Sequence, residues 1–413
     1  MNSRQPHSPW IQASMLFLLM ALAAATVAPV ESDPFAAPPQ GEVSTLIRSA
    51  QFGEAGADSA IEAWLKQHPA ASRSDRMRLE HRLCSDLRMR NANAAAAIEC
   101  AAAVGLGSDD AQAAANSAAL RDVPPIRAIG AARVALTLNR LGSRDTTVIV
   151  NGVGAPWLVD TGAQITVVSS SLAQRIGLHQ LQGPVTVHST TGFAKGALAV
   201  IDRLHIGAAE VENVPVLVLP DAQLKIADLP QIQAILGLPV LVAFGRAAWL
   251  DAGATLALGD AAPSPPPGSP RLYWHEEGIG VPVSTALGLR GAHLDTGAND
   301  TYLRAPAHAL LTPAIEATAA IHRGKVGGAG GVMDTNEKVY PRVSLDVAGV
   351  PMVFRNVSLN EADTDGVARL GDDVLQRLSS LVLDFENMRV AVRGLPDIKP
   401  PAPAAPPPPG APD

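Results

Sequence analysis

With two cysteines in 413 residues, the chain can build neither a disulfide scaffold nor a four-cysteine zinc site. Basic charge is also short: the net charge is −7 and the pI about 5.8, which leaves no electrostatic footprint for nucleic acid. No run of one sign is long enough to serve as an interaction tail. Neither His-Glu-x-x-His nor Gly-x-Ser-x-Gly occurs, so metallo- and serine-hydrolase chemistry lack their residues. The apolar run from Met15 to Ala25 falls short of the roughly 20 residues that span a bilayer. Arg4 and His7 precede it and Ala23-Ala24-Ala25 offers a small-residue cleavage site, so residues 1–25 read as an export signal. The expectation is an exported chain, periplasmic or secreted, with no membrane span once the signal is removed. An uncleaved signal serving as an anchor is the alternative.

What is present begins with a helical pattern over 42–125. Met77, Leu79, Leu83 and Leu87 line one face of a helix expected after Ser74, whose hydroxyl is the candidate cap. Asn91-Ala92-Asn93 reads as a turn, and Ala94 to Val104 as the next helix. Cys84 and Cys100 lie eight residues to either side of Ala92 (92 − 84; 100 − 92), so in an antiparallel hairpin they can face each other. In an exported protein a disulfide is expected, with two buried thiols as the alternative.

From about residue 133 the pattern turns to strands. Ala135 to Leu138 and Thr146 to Val150 are apolar and β-branched, and Asn151-Gly152 signals a hairpin. The hairpin leads into Trp157-Leu158-Val159-Asp160-Thr161-Gly162-Ala163. A second copy, Ala292-His293-Leu294-Asp295-Thr296-Gly297-Ala298, follows 135 residues on (295 − 160). Ile235-Leu236-Gly237 ends 77 residues after the first Asp (237 − 160), and Arg369-Leu370-Gly371 ends 76 after the second (371 − 295). One Asp-Thr-Gly is weak, since turns collect Asp and Gly for backbone reasons. Two copies in matching surroundings mean one unit duplicated, with two carboxylates in equivalent places. Residues 261–270 (AAPSPPPGSP) form a Pro-rich linker between the copies, and 394–413 a Pro-rich tail without periodicity.

Two carboxyl groups brought to a shared axis cannot both ionise cheaply, so one keeps a proton and the pair holds an acid and a base. At these residues the chain resembles the aspartic proteases, most nearly the bacterial retropepsin-like branch, with two pepsin-like lobes in one chain. The resemblance spans about 133–393. It implies a mainly β, bilobal fold of double-psi-barrel-like lobes (132–260 and 271–393) behind a small α-helical domain. It implies an aspartic endopeptidase in which Asp160 and Asp295 activate a water against a peptide or protein substrate, as a monomer without cofactor or metal. Thr161 and Thr296 would brace the two loops across the lobe interface, and Gly162 and Gly297 would let backbone approach the carboxylates. Gly237 and Gly371 would lie beneath the loops. Thr190, Thr191, Gly192 and Phe193, within His188–Lys195, would be the flap, with Gly327–Gly331 its counterpart. Pepsin-like flaps carry a Tyr, where this stretch offers His188 and Phe193.

His293, two residues before Asp295 on one strand, is expected to be hydrogen-bonded within the sheet rather than to act in catalysis. Ala163 and Ala298 stand where pepsin-like enzymes commonly have Ser or Thr, so no hydroxyl there supports the charged dyad, and its apparent pKa values should be higher. The rival function is a non-cleaving peptide-binding module of the cell envelope that uses the same cleft and the helical domain. The helical segment itself could cover the first lobe, bind a partner or act as a prosegment.

Overall fold

The computed structural model describes residues 33–395 except 37, 190–191, 226–230, 276–277 and 329–330. The expected export signal, and the tail beyond 395, lie outside the described residues. Five helices come first: α1 (Glu42–Gln51), α2 (Ala57–Gln67), α3 (Arg73–Met89), α4 (Asn93–Gly105) and α5 (Ala111–Leu120). The cap of α3 is Ser72 and not Ser74: Ser72 Oγ accepts from Asp75 N at 3.0 Å and satisfies a donor the first turn leaves open. Asn91 turns the chain with φ 57°, which Asn tolerates better than most residues. Across this turn Cys84 and Cys100 form a disulfide with Cα atoms 4.7 Å apart, both buried between α3 and α4.

Three short strands follow, β1 (Arg127–Ile129), β2 (Ala132–Ala135) and β3 (Thr137–Leu138). The apolar run expected as one strand from Ala135 to Leu138 is thus divided at Leu136. The first lobe then runs β4 (Arg144–Val150), β5 (Val153–Asp160), β6 (Thr166–Ser169), β7 (Gln180–Ser189), β8 (Gly192–Ile206), β9 (Ala209–Leu219), β10 (Ala234–Gly237), β11 (Arg246–Leu250) and β12 (Thr255–Leu258). The β4–β5 turn is Asn151-Gly152 with φ of 49° and 78°, the two positive values such a hairpin needs. Six strands close on themselves in the order β4-β5-β10-β6-β9-β8, with β8 returning to β4. Closure leaves no open edge and encloses a core that includes Trp157, Val159 and Leu236.

After β13 (Tyr273–His275), the second lobe repeats this order ten labels on. It comprises β14 (Gly278–Thr285), β15 (Gly288–Leu294), β16 (Tyr302–Arg304), β17 (Ala320–Gly328), β18 (Gly331–Val347), β19 (Val350–Asn360), β20 (Ala368–Leu370), β21 (Leu378–Asp384) and β22 (Arg389–Gly394). Its ring is β14-β15-β20-β16-β19-β18, with β18 returning to β14. The architecture is therefore mainly β, two barrel-like lobes behind helices, as expected of an aspartic-protease-like fold.

A third sheet, β2-β12-β11-β21-β22, joins the lobes. At its centre β11 and β21 run antiparallel with Ala248 opposite Val382. These two are 134 residues apart (382 − 248), the same offset that separates Gly237 from Gly371 (371 − 237). The axis relating the lobes therefore passes between them. Helices pack on both lobes. Arg271 of the second lobe donates to Glu54 Oε1 and Phe52 O, each at 2.9 Å, while Leu120 sits in an apolar cluster with Val185 and Leu198 of the first.

Candidate active site

Asp160 ends β5, and Asp295 follows β15 directly. Both strands enter the inter-lobe region buried, β5 as the apolar run Trp157-Leu158-Val159 and β15 as Ala292-His293-Leu294. Each loop is held by the opposite lobe. Thr161 Oγ1 donates to Leu294 O (2.7 Å) and accepts from Thr296 N (3.0 Å). Thr296 Oγ1 donates to Val159 O (2.9 Å) and accepts from Thr161 N (3.1 Å). Both threonines are buried, so these four bonds replace water that cannot reach the groups.

This brace draws each glycine onto the other lobe's acid. A Cβ on Gly162 would stand 2.5 Å from Asp295 Cγ, and one on Gly297 2.3 Å from Asp160 Cγ. No side chain fits at either place, which is why the motif needs Gly here. The acids themselves hydrogen-bond to each other. Asp160 Oδ1 accepts from Gly162 N at 2.8 Å; Asp295 Oδ1 accepts from Gly297 N (3.0 Å) and Ala298 N (3.1 Å). Asp160 is pushed well above the usual carboxylate range, first by burial and then by the charge of Asp295. Gly237 pairs with Asp160 across parallel strands, and Leu238 N donates to Ala163 O at 2.9 Å. In the second lobe Asp295 N donates to Leu370 O at 2.9 Å, and Asp372 N to Ala298 O at 2.7 Å.

Each lobe also carries a long hairpin, β7–β8 in the first and β17–β18 in the second. Thr190 and Thr191 lie outside the described residues. Gly192 and Phe193 begin β8, their backbones opposite Ser189 and His188. Gln223 exchanges bonds with Lys195 N and O at 3.2 Å, and its short 3-10 turn also touches β18 of the other lobe. That turn therefore touches both hairpins. Among the described residues, no group of three or more His, Cys, Asp or Glu could hold a metal ion, and no helix is long and apolar enough to cross a membrane.

His293 lies inside the sheet region: fully buried, stacked on His275 with ring centroids 4.8 Å apart, and 3.5 Å from Arg304 Nη2 through Nδ1. The polar neighbour that the sequence reading did not single out is Arg369. Its Nη1 stands 3.3 Å from Asp295 Oδ2. The available signal was the first letter of Arg369-Leu370-Gly371, a charge where the first copy has Ile235.

A protein-family model described as aspartyl protease matches residues 146–240, from β4 to the short helix after β10. The matched segment is aspartyl-protease-like. No curated protein sequence matches the chain. Among solved structures it is similar to conglutin gamma, a basic 7S globulin from lupine seeds, at 14% identity over 64% of this chain and 95% of that one, with a TM-score of 0.44. The basic 7S globulin from soybean is similar at 13% identity over 64% and 94%, with a TM-score of 0.43.

Proposed function

We propose that this chain is an aspartic endopeptidase acting on peptides or proteins through Asp160 and Asp295. The observation that supports this reading is the pair of hydrogen-bonded carboxyl groups at the crossing of two braced loops, one of them with its proton affinity raised by burial. Such a pair keeps one proton and one charge, so a water between them can be deprotonated on one side while the scissile carbonyl is polarised from the other. The water oxygen adds to the carbonyl carbon as its proton passes to the carboxylate. The protonated carboxyl then gives its proton to the carbonyl oxygen. Collapse of the resulting diol breaks the C–N bond: the newly protonated carboxyl gives its proton to the departing amine, and the other carboxylate takes a proton from a diol hydroxyl, which leaves the product acid and restores the pair. No covalent enzyme intermediate, metal or cofactor is required. Since one chain carries both acids, the active species is a monomer, and the Met15–Ala25 run would export it.

The test is digestion of a mixed peptide library by the wild type, Asp160→Asn and Asp295→Asn, with products read by mass spectrometry. The wild type should cut, and either variant alone should lose all but a few per cent of the rate, because the acids act as a unit. A wild type that binds peptides without cutting them would instead establish the non-cleaving binding module. Comparable cutting by all three proteins would remove the dyad from the reaction.

A further inference from the structure

Strand pairing defines what Arg369 replaces. It stands beside His293 on β15 and Tyr302 on β16, as Ile235 stands beside Leu158 on β5 and Val167 on β6. The three first-lobe residues are apolar and buried in one cluster. The second lobe has a cation, an imidazole and a phenol in their places. Arg369 lies over the Tyr302 ring, 5.8 Å from its centroid, and its guanidinium meets Asp295 with both side chains about nine-tenths buried (13% and 10% exposed). Ile235 offers Asp160 no charge. The backbone follows the same bias: Asp295 Oδ1 accepts from two N–H groups, Asp160 Oδ1 from Gly162 N.

We infer that Arg369 decides which acid carries the single negative charge of the pair, making Asp295 the carboxylate that takes the proton of the water and Asp160 the carboxyl that donates to the substrate carbonyl. The inference rests on the peptidase reading and adds the division of roles within it. A cation within 4 Å, in a site shielded from water, favours the ionised form of its neighbour. Burial and the adjacent negative charge raise Asp160 in the same sense, and Arg369 opposes this only as the smallest influence. The charged groups acting on Asp160 are Asp295 from the opposite loop and Arg369 from β20. On β15 the ring of His293 turns to His275 and Arg304. Arg369 acts through Asp295 and is a positioning residue.

Arg369→Ile installs the first-lobe residue, Arg369→Lys keeps the charge, and Arg369→Gln gives a neutral polar variant should the isoleucine not fold. The readout is kcat/KM against pH on one library-derived peptide, whose acidic limb reports the apparent pKa of the pair. That limb should rise by about one pH unit in the neutral variants, stay within a few tenths of a unit in Arg369→Lys, and leave KM nearly unchanged. An acidic limb that stays in place in an active neutral variant overturns the inference and leaves Arg369 a packing residue. If the wild type cleaves nothing, the peptidase reading fails separately. The charge placement is then read by carbon-13 NMR titration of labelled Asp carboxyl groups in the wild type and Arg369→Gln. A pair whose acidic step rises by about one unit supports it, and superimposable titrations overturn it.

Discussion

The two lobes share a backbone plan and differ in what fills its outer face. Both close six strands in the same order, both end a strand in Asp-Thr-Gly, and each threonine braces the opposite loop. Beside the first acid lie Leu158, Val167 and Ile235; beside the second lie His293, Tyr302 and Arg369. The covering explains the difference. The first face packs under Leu120 of α5 and Val123, which supply only apolar surface. The second adjoins a buried polar group in which Arg304 Nε meets Asp363 Oδ2 at 2.7 Å and His275 Nε2 meets Asp365 Oδ2 at 2.7 Å. The contacts between lobes differ in the same way. Arg144 of the first lobe pairs with Asp372 of the second at 2.9 Å, whereas their counterparts, Ile279 and Leu238, lie buried in the apolar core. Duplication fixes where backbone and glycine must go; the covering decides which side chains are stable there.

Exchanging the side chains across the lobes should break the comparison most forcefully. Ile235→Arg places a guanidinium in the apolar cluster under Leu120, where the one carboxyl group in the equivalent place, Asp160, has its proton affinity raised by burial and by Asp295. It should cost about 3 kcal/mol or more in denaturant unfolding, and Arg369→Ile clearly less. Equal costs would mean that the two faces are covered alike. The brace should instead be symmetric. Thr161→Val and Thr296→Val each strand a buried N–H and a buried C=O, and each should cost about 1–3 kcal/mol, matching within experimental error. A marked inequality would show that one lobe leads the other.

A third effect concerns the cover itself. Glu80 of α3, enclosed against α4, is pushed up to about 8 by burial and by Glu99 beside it. Its ordinary value is 4.5, so between 4.5 and about 8 the folded state holds the extra proton. The stability this provides is complete below 4.5 and is lost as pH rises through 8. Thermal unfolding from pH 6 to 9 should therefore fall more steeply in the wild type than in Glu80→Gln, and hydrogen exchange should loosen α3 and α4 before the second lobe. Parallel pH profiles for the two proteins would remove Glu80 from this role.

Local signals made much of this legible in advance. Asn151-Gly152 announced its hairpin because few residues accept positive φ. The repeated Asp-Thr-Gly with its offset of 135 (295 − 160) announced the duplication. The symmetric placing of Cys84 and Cys100 about Ala92 announced the disulfide, because a helical hairpin converts equal sequence distance into equal height. Other features depend on partners that no window of sequence contains. Ser72 rather than Ser74 caps α3 because the loop from α2 delivers the chain at that residue, and two hydroxyls two positions apart cannot be ranked from the chain alone. The sheet formed by β11 and β21 requires both lobes to be present.

The sequence by itself determined the strand and turn pattern, the duplicated acid loops and the glycines they require, since each follows from the φ/ψ limits and spacing of neighbouring residues. Only the tertiary structure decided that Thr161 and Thr296 bond across the lobes, that the helices pack on both of them, and that Arg369 reaches Asp295. Those contacts join residues far apart in the chain, and their strength depends on burial, which is a property of the assembled surroundings and not of any residue type.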